Sequence, residues 1–399
     1  MGEMRLSMTK SEILLLVLVV VLGVALRASW MLNPNTGFMV DEVYYIPAAL
    51  HYLKPYIGGI APGSMLTENR YVPYYINPEH PPLAKLMIAA AIGIFGNNPI
   101  GWRFFSTLMG SLGTPAIYFA ARRLFPKAAL VTAAFYALYP MDISMSQIGM
   151  LDVFATTFSA ISFAALVNDK PKLSGAFFGL ATASKLTGLT VGLPILYYVL
   201  AKKRGQPLQA LKMLIVIFAI AVVCYIPAFI PMGVDYGWET VLLDQFYMVL
   251  VQQHYAAGPG PFLPFEWLAA FSSNFNPTIF LNNAALTIVS VLGLIYCVIK
   301  SKLLGPLLLT GYFLSAFGLI VAAASLRVVY FFYLEDAAPV FVLLAGAFIG
   351  GMLDIGSRRA RIVAYACAFA IFVAAAILVP IVLYGSSVPY AGTITRITP

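Results

Sequence analysis

Acidic and basic side chains occur in a few short stretches of a chain that is otherwise apolar. In "MVDEVYY", Asp41 and Glu42 are adjacent carboxylates that follow the first long apolar run. A carboxylate that accepts the proton of a hydroxyl group makes the oxygen a better nucleophile. Adjacent side chains on a helix point in different directions, so we expect one carboxylate to act while the other orients or pairs. The alternative is a solvated helix cap.

The stretch "NPEHPPLAKL", residues 77–86, carries Glu79, His80 and Lys85 around two consecutive prolines. Proline disfavours a helix that continues through the preceding residues, and Pro82 suits the first position of a helix. We therefore expect these polar groups at a helix entrance, where the first helical turn suits an anion. The alternative is that Lys85 only extends along the apolar surface towards water.

Three further charged residues lie near the ends of apolar runs. Asp152 occurs in "SQIGMLDVF", Lys185 in "ASKLTG", and Arg327 in "RVVYFFYLED", eight residues before Glu335. Each has a structural alternative: a helix N-terminus stabilises a carboxylate, a lysine extends to the interface, and an arginine forms an ion pair. Together, with both charge signs on one side, they indicate a site for an anionic ligand beside a catalytic carboxylate.

The composition indicates which elements must position these residues. Of 399 residues, 61% are hydrophobic and only 10% are charged, and the mean hydropathy is +0.88. Several apolar runs approach the roughly 20 residues that span a bilayer. We therefore predict an all-α polytopic membrane protein with about eleven transmembrane helices. They lie near residues 13–32, 100–122, 127–141, 151–167, 172–187, 188–201, 210–231, 279–299, 303–325, 333–353 and 361–384.

The distribution of charge predicts the orientation. With the N-terminus in the cytoplasm, 16 of the 24 Lys and Arg residues lie inside, as the positive-inside rule requires. These are Arg5, Lys10, Arg122, Arg123, Lys127, Lys170, Lys172, Lys202, Lys203, Arg204, Lys212, Lys300, Lys302, Arg358, Arg359 and Arg361. Only Glu3, Glu12, Asp169 and Asp354 of the acidic residues lie inside. The basic balance thus reflects topology, and we expect no nucleic-acid partner.

Two long outer loops, residues 33–99 and 232–278, interrupt a single integral-membrane domain that covers residues 1–399. Residues 83–95 are too short to cross, so we predict a juxtamembrane or re-entrant helix there, and residues 172–201 form a hairpin that turns near Thr187 and Gly188. Ionisable residues gather on the outer face: Asp41, Glu42, Asp142, Asp152, Lys85, Arg103, Lys185, Arg327, Glu335 and Asp336. This one-sided distribution favours a surface site over a pore through the membrane.

Several of these stretches together resemble the protein O-mannosyltransferase family, one of the C-type, polyprenyl-phosphate-sugar-dependent glycosyltransferases. The resemblance rests on "DEVYY", "EHPPLAKL", "WRFFSTLMGSLGTPAIYFAARRLF", "SQIGMLDVF" and "LATASKLTG", in order and on the expected sides of the membrane. The later "RVVYFFYLEDAAPVFVL" is similar to the aromatic run that enters a late span of the family.

The resemblance implies an inverting transfer of a sugar, with mannose favoured, from a dolichyl or polyprenyl phosphate to an acceptor hydroxyl on the outer face. It implies Asp41 as the base and Glu42 as the residue that orients the first-loop helix or the acceptor. Groups implied at the donor phosphate are His80, Lys85, Arg103, Lys185 and Arg327, and those implied for acceptor contact or structural support are Tyr45, Asp152 and His254. No cofactor and no metal are expected.

The chain also departs from the family in ways that bear on the acceptor. The loop 232–278 has no room for the sugar-binding-like domain of eukaryotic members, and Gln147 stands where members often carry Arg. The acceptor hydroxyl belongs to a protein Ser or Thr, or alternatively to a lipid or glycan. A multipass transporter and a lipid-sugar-binding scaffold without turnover are the alternatives from other classes. We expect a multi-pass protein of a prokaryotic plasma membrane.

Overall fold

The computed structural model describes residues 8–33, 36–54, 75–254, 282–326, 329 and 331–384. Every regular element in these ranges is helical, which confirms the predicted all-α class. The α-helices are α1 (Lys10–Ala28), α2 (Glu42–Leu53), α3 (Leu83–Phe95), α4 (Pro99–Leu124), α5 (Ala129–Ala137), α6 (Pro140–Ser146), α7 (Asp152–Val167), α8 (Pro171–Ser184), α9 (Gly192–Lys202), α10 (Pro207–Tyr225), α11 (Ile230–Tyr236), α12 (Trp238–His254), α13 (Ala284–Ile299), α14 (Leu304–Leu326), α15 (Ala338–Ile355) and α16 (Arg358–Tyr384). Short 3₁₀ segments occupy residues 126–128, 186–191, 226–229 and 331–337.

Five helical stretches in the described ranges are long and apolar enough to cross a bilayer, and the chain is therefore an integral membrane protein. They are Lys10–Ala28, Pro207–Tyr236, Leu304–Ala324, Phe332–Ile355 and Arg358–Leu383. Residues 126–137 and 140–146 would add a sixth as one span bent by 51°. The other apolar helices are shorter than a full crossing or, like α4, less hydrophobic, so the number of about eleven spans stays a prediction.

The segment between α1 and α4 contains two helices, α2 and α3. Helix α3 has the predicted bounds, and its 13 residues extend about 20 Å, less than the hydrocarbon thickness of a bilayer. Pro82 precedes it as the N-terminal cap residue, one position before the predicted place, with Leu83 as the first helical residue. The helix begins where the two prolines end, which leaves Glu79 and His80 in a turn before it.

Helices α8 and α9 form the predicted hairpin, and the 3₁₀ segment at residues 186–191 joins them. The turn requires a glycine, because a Cβ atom on Gly188 would lie 2.3 Å from the backbone carbon of Ala181. This close return of the chain onto α8 leaves Lys185 in extended conformation, with φ of −158° and ψ of 145°. The hairpin thus presents Lys185 at its turn and towards the protein interior, where only 4% of the residue is exposed.

Helix α7 lies at the centre of the bundle, with nearly all of its residues buried. It packs against α4 on one side and α8 on the other. Because a helix that is apolar on every side is stable only when surrounded, α7 forms the core against which the neighbouring helices pack. Asp152 is its first residue and is fully buried.

Candidate active site

Asp41 lies immediately before α2 as its cap residue, yet its carboxylate makes no capping hydrogen bond to the helix. The Tyr45 hydroxyl, one turn later, donates to Asp41 Oδ2 at 3.3 Å. Val40 before it has φ of 49°, a strained conformation for a β-branched residue. The backbone N–H of Met39 donates to Glu42 Oε2 at 2.8 Å, which holds the turn closed. Asp41 is therefore a half-buried acceptor and not a solvated cap.

Glu42 forms a buried ion pair with Arg103 of α4. Arg103 Nε donates to Glu42 Oε1 at 2.8 Å and Nη2 donates to Oε2 at 2.7 Å, and both side chains are fully buried. The Gly149 N–H donates to Oε1 at 2.7 Å. This two-pronged geometry is the strong form of a carboxylate–guanidinium contact. This contact links the start of α2 to α4. The adjacent carboxylates of Asp41 and Glu42 therefore have different structural roles.

Arg103 uses its remaining donors on the loop that precedes Asp41. Its Nη2 donates to the Gly37 carbonyl at 2.7 Å, and its Nη1 reaches the Thr36 hydroxyl and, at 3.5 Å, the Trp30 carbonyl. Since a guanidinium carries five N–H groups in fixed directions, this set occupies all of them. In this arrangement Arg103 shapes the loop that holds Asp41.

A second buried ion pair joins the hairpin turn to the first residue of α7. Lys185 Nζ contacts Asp152 Oδ1, with side chains that are 5% and 0% exposed. The ammonium also lies 4.8 Å from the ring centroid of Tyr333, a favourable position over an aromatic face. Asp152 Oδ2 is buried without a hydrogen-bond partner among the described residues. The pair thus retains acceptor capacity inside the protein.

Asp41 lies close enough to this ion pair for the charges to act on one another. Burial and, to a smaller extent, the negative charge of Asp152 raise the pKa of Asp41 to about 6, against the opposing effect of the Lys185 ammonium. A base with a pKa just below neutrality is ionised at pH 7 and still accepts a proton readily. Asp336, whose Oδ1 accepts from the Thr187 hydroxyl at 2.9 Å, brings another carboxylate to the hairpin turn.

Lys85 of α3 lies apart from this group, with 1% of the residue exposed. Its Nζ donates to the His80 carbonyl at 2.7 Å and the Ile76 carbonyl at 3.2 Å, and contacts the Asn77 carbonyl. The ammonium therefore fixes the turn at residues 76–80. The His80 ring lies edge-on to Tyr45, with centroids 6.1 Å apart, so the turn reaches the residue that donates to Asp41.

The predicted site residues are brought together only in part. Asp41, Tyr45, Asp152 and Lys185 converge, and His80 lies at their edge. Glu42 and Arg103 form a supporting pair beside them, and Lys85 lies behind the turn. Arg327 lies outside the described residues, as does the side chain of His254, so their predicted roles remain predictions.

The sequence predicted no role for two features of this region. Tyr333 lies over Lys185, and its only signal was its place in the aromatic run before Glu335. Arg27, near the end of α1, forms a fully buried ion pair with Asp142 of α6, to which the Tyr136 hydroxyl donates at 2.7 Å. A lone arginine in an apolar span is a signal for such a partner, because a charge there must be paired.

Part of the chain is similar in sequence to a known family of transferases. Residues 79–230 match the family described as dolichyl-phosphate-mannose-protein mannosyltransferase. A stretch of 136 residues, 33% of this chain, is 34% identical to the polyprenol-phosphate-mannose–protein mannosyltransferase of Corynebacterium glutamicum and 30% identical to that of Mycobacterium tuberculosis. That stretch covers only 25% and 24% of the two relatives, and the family match begins after Asp41 and Glu42.

Solved structures of the same fold cover almost the whole chain. ArnT from Cupriavidus metallidurans, solved bound to undecaprenyl phosphate, covers 94% of this chain and 77% of its own with a TM-score of 0.64 at 16% identity. The archaeal oligosaccharyltransferase AglB from Archaeoglobus fulgidus covers 93% of this chain and 55% of its own with a TM-score of 0.60 at 15% identity. The chain thus has the fold of these two structures, and its segment 79–230 resembles the dolichyl-phosphate-mannose-protein mannosyltransferases.

Proposed function

We propose that the protein is an inverting glycosyltransferase that moves a sugar, mannose in the first instance, from a polyprenyl or dolichyl phosphate to an acceptor hydroxyl. The observation that carries this proposal is the half-buried Asp41 beside the buried Lys185–Asp152 ion pair. It combines an acceptor for the hydroxyl proton with a cation for the departing phosphate. The similarity to polyprenol-phosphate-mannose-dependent transferases supports this donor class.

The transfer is a single displacement at the anomeric carbon. Asp41 takes the proton of the acceptor hydroxyl while that oxygen forms a bond to the anomeric carbon. The bond from this carbon to the phosphate oxygen breaks, and its electron pair leaves with the polyprenyl phosphate. Because the leaving group is an anion, it requires stabilisation by positive charge and no second acid. A single displacement inverts the anomeric configuration, unlike a two-carboxylate mechanism with a covalent intermediate.

The residues around this reaction have distinct proposed roles. Lys185 stabilises the phosphate from the buried end of the site, and Arg327 is proposed as a second phosphate ligand. Glu42 and Arg103 fix the turn that carries Asp41, since each uses its polar atoms on the other and on the backbone. His80 borders the site through Tyr45. Asp152 holds Lys185 in place, and Lys85 holds the turn of His80.

For the acceptor we propose the hydroxyl of a protein Ser or Thr, as the names of the matched relatives suggest for those proteins. A lipid hydroxyl is the alternative that the assay must distinguish. We further propose that the site faces the outside of a prokaryotic plasma membrane. The charge asymmetry of the sequence supports this orientation.

The direct test is transfer by the purified full chain in lipid. The protein is incubated with polyprenyl phosphates that carry mannose, glucose or an aminosugar, together with a Ser- and Thr-containing peptide or a membrane lipid extract. Mannose on the peptide, with release of polyprenyl phosphate, is the expected product. Transfer only to lipid would reassign the acceptor. No release of polyprenyl phosphate from any donor, by folded protein with both acceptors present, would overturn the proposal.

The orientation has its own test in intact cells. A single cysteine introduced at Gly258, in the second outer loop, should react with a membrane-impermeant thiol reagent in a background without the native cysteines. One introduced at Gly205, beside the basic residues after α9, should react only after the membrane is permeabilised. Equal labelling of both positions in intact cells would contradict the proposed outside location of the site.

A further inference from the structure

Helix α12 has two faces that reverse the usual pattern of an exposed helix. Its inward face carries buried residues, namely Thr240, Val241, Asp244, Met248 and Val251. Its outward face consists of exposed apolar residues, namely Leu242, Leu243, Phe246, Val249 and Leu250. A helix with a carboxylate inside and a continuous apolar stripe outside is suited to hydrocarbon and not to water.

The position of α12 agrees with contact to hydrocarbon. It follows the span Pro207–Tyr236 directly, after a bend at Gly237, where φ is 90°. The apolar exposure continues from that span, in which Ile230 and Val234 are also exposed. The occupant of the outward face is therefore the acyl chains of the surrounding bilayer.

The inward face of α12 shares an apolar cluster with the turn that Lys85 fixes. Val241 and Met248 lie in one apolar cluster with Ile76, and Leu83 packs against that cluster. Residues three and four apart share a face of a helix, so Asp244 lies between Val241 and Met248 on the packed side. It therefore faces the turn at residues 76–85.

Asp244 and Lys85 act on each other inside this cluster. Asp244 is 2% exposed, and its Oδ1 has no hydrogen-bond partner among the described residues. Burial raises the pKa of Asp244 while the Lys85 ammonium opposes that shift. Burial lowers the pKa of Lys85 while the carboxylates of Asp244 and Glu79 oppose it. Each charge thus offsets part of the cost of burying the other.

We propose that Asp244 is a positioning residue, which holds the lipid-facing helix α12 against the 76–85 turn through the charge of Lys85. The effect passes from Asp244 to Lys85, whose ammonium fixes the His80 carbonyl, and from the His80 ring to Tyr45 beside Asp41. Asp244 touches none of the reacting groups. The kinetic consequence rests on the proposed transferase activity, whereas the structural consequence does not.

The test is amide hydrogen exchange of the full chain in lipid nanodiscs, with Asp244→Asn compared with Glu239→Gln. The control removes a carboxylate from the same helix at an exposed position. Asp244→Asn should raise exchange in residues 76–85 and 238–251 at least about tenfold and leave α7 protected. Glu239→Gln should match the wild type. Wild-type exchange in Asp244→Asn would overturn the proposal.

Two further variants separate positioning from a general loss of stability. Asp244→Glu keeps the charge and should keep most of the protection. In the double variant Lys85→Met with Asp244→Asn, neither charge remains unpaired, so exchange should be no faster than in the more affected single variant. If Asp244→Asn alone does not fold, recovery of folded protein in the double variant supports the pair, and failure of the double variant where Lys85→Met alone folds overturns the pair.

Donor kinetics supply the readout that depends on the transferase activity. Asp244→Asn should raise the apparent KM for the polyprenyl-phosphate sugar several-fold and change kcat less, because the turn that carries His80 is displaced and the base is retained. If no donor is used by the wild type, the exchange experiment still decides the role of Asp244. A lower kcat with an unchanged KM would contradict a positioning role at the donor.

Discussion

Asp41→Asn is expected to lower the turnover of sugar transfer by at least about 10², while binding of the donor persists. The substitution keeps the shape of the side chain and removes its ability to accept the hydroxyl proton. The carboxylate makes no capping bond to α2, so the loss of charge should cost the fold little. Turnover is measured with saturating donor and acceptor, and donor binding by competition with a labelled polyprenyl phosphate.

The pH dependence of turnover should report the same residue. Because burial raises the pKa of Asp41 to about 6, the ionised base is present above this pH and is lost as the pH falls. Wild-type turnover should therefore drop about tenfold per pH unit below the pKa. This acidic limb of the pH–turnover profile should be absent from the residual activity of Asp41→Asn. Tyr45→Phe removes a hydrogen bond that lowers this pKa and should move the limb upward. Near wild-type turnover in Asp41→Asn would move the base role to Asp152 or Glu42.

Arg103→Met should have the largest effect on stability of any change at the site. It leaves the Glu42 carboxylate fully buried without its cation and opens the loop at Gly37 and Thr36. Removal of one partner of a buried ion pair costs about 3–5 kcal/mol, which is a large part of the stability of a typical domain. We expect a lower unfolding temperature and a lower folded yield in detergent, measured by thermal unfolding and size-exclusion chromatography.

The matched control is Arg122→Met, at the other end of the same helix. Arg122 pairs with Glu12 at 3.2 Å, with side chains that are 19% and 23% exposed, and such a pair contributes about 0–1 kcal/mol. The double variant Glu42→Gln with Arg103→Met should recover part of the lost stability because no buried charge remains unpaired. Equal unfolding temperatures for Arg103→Met and Arg122→Met would show that the Glu42–Arg103 pair does not hold the loop.

The sequence by itself determined the class of the protein, the bounds of several elements and the residue types at the site. Apolar composition requires a membrane helix bundle because no water-soluble core needs so much apolar surface. The prolines at 81 and 82 start α3 at a fixed place, since proline stops a helix from extending backward. The lysine-rich ends of residues 172–201 and the glycine at 188 predicted the hairpin. These are local or compositional effects, and they do not depend on which helices pack together.

Only the tertiary structure decided which charges pair. The sequence placed Lys85, Arg103 and Lys185 on one face as equivalent cations, yet each has different partners: backbone carbonyls for Lys85, Glu42 for Arg103, and Asp152 for Lys185. Glu42 and Arg103 are 61 positions apart, and no local pattern relates them. Helix packing selects such partners, because a buried charge is stable only where the fold supplies its counter-charge. The pairing of the other cations leaves Lys185 as the cation beside Asp41, and this is the arrangement on which the proposed transfer depends.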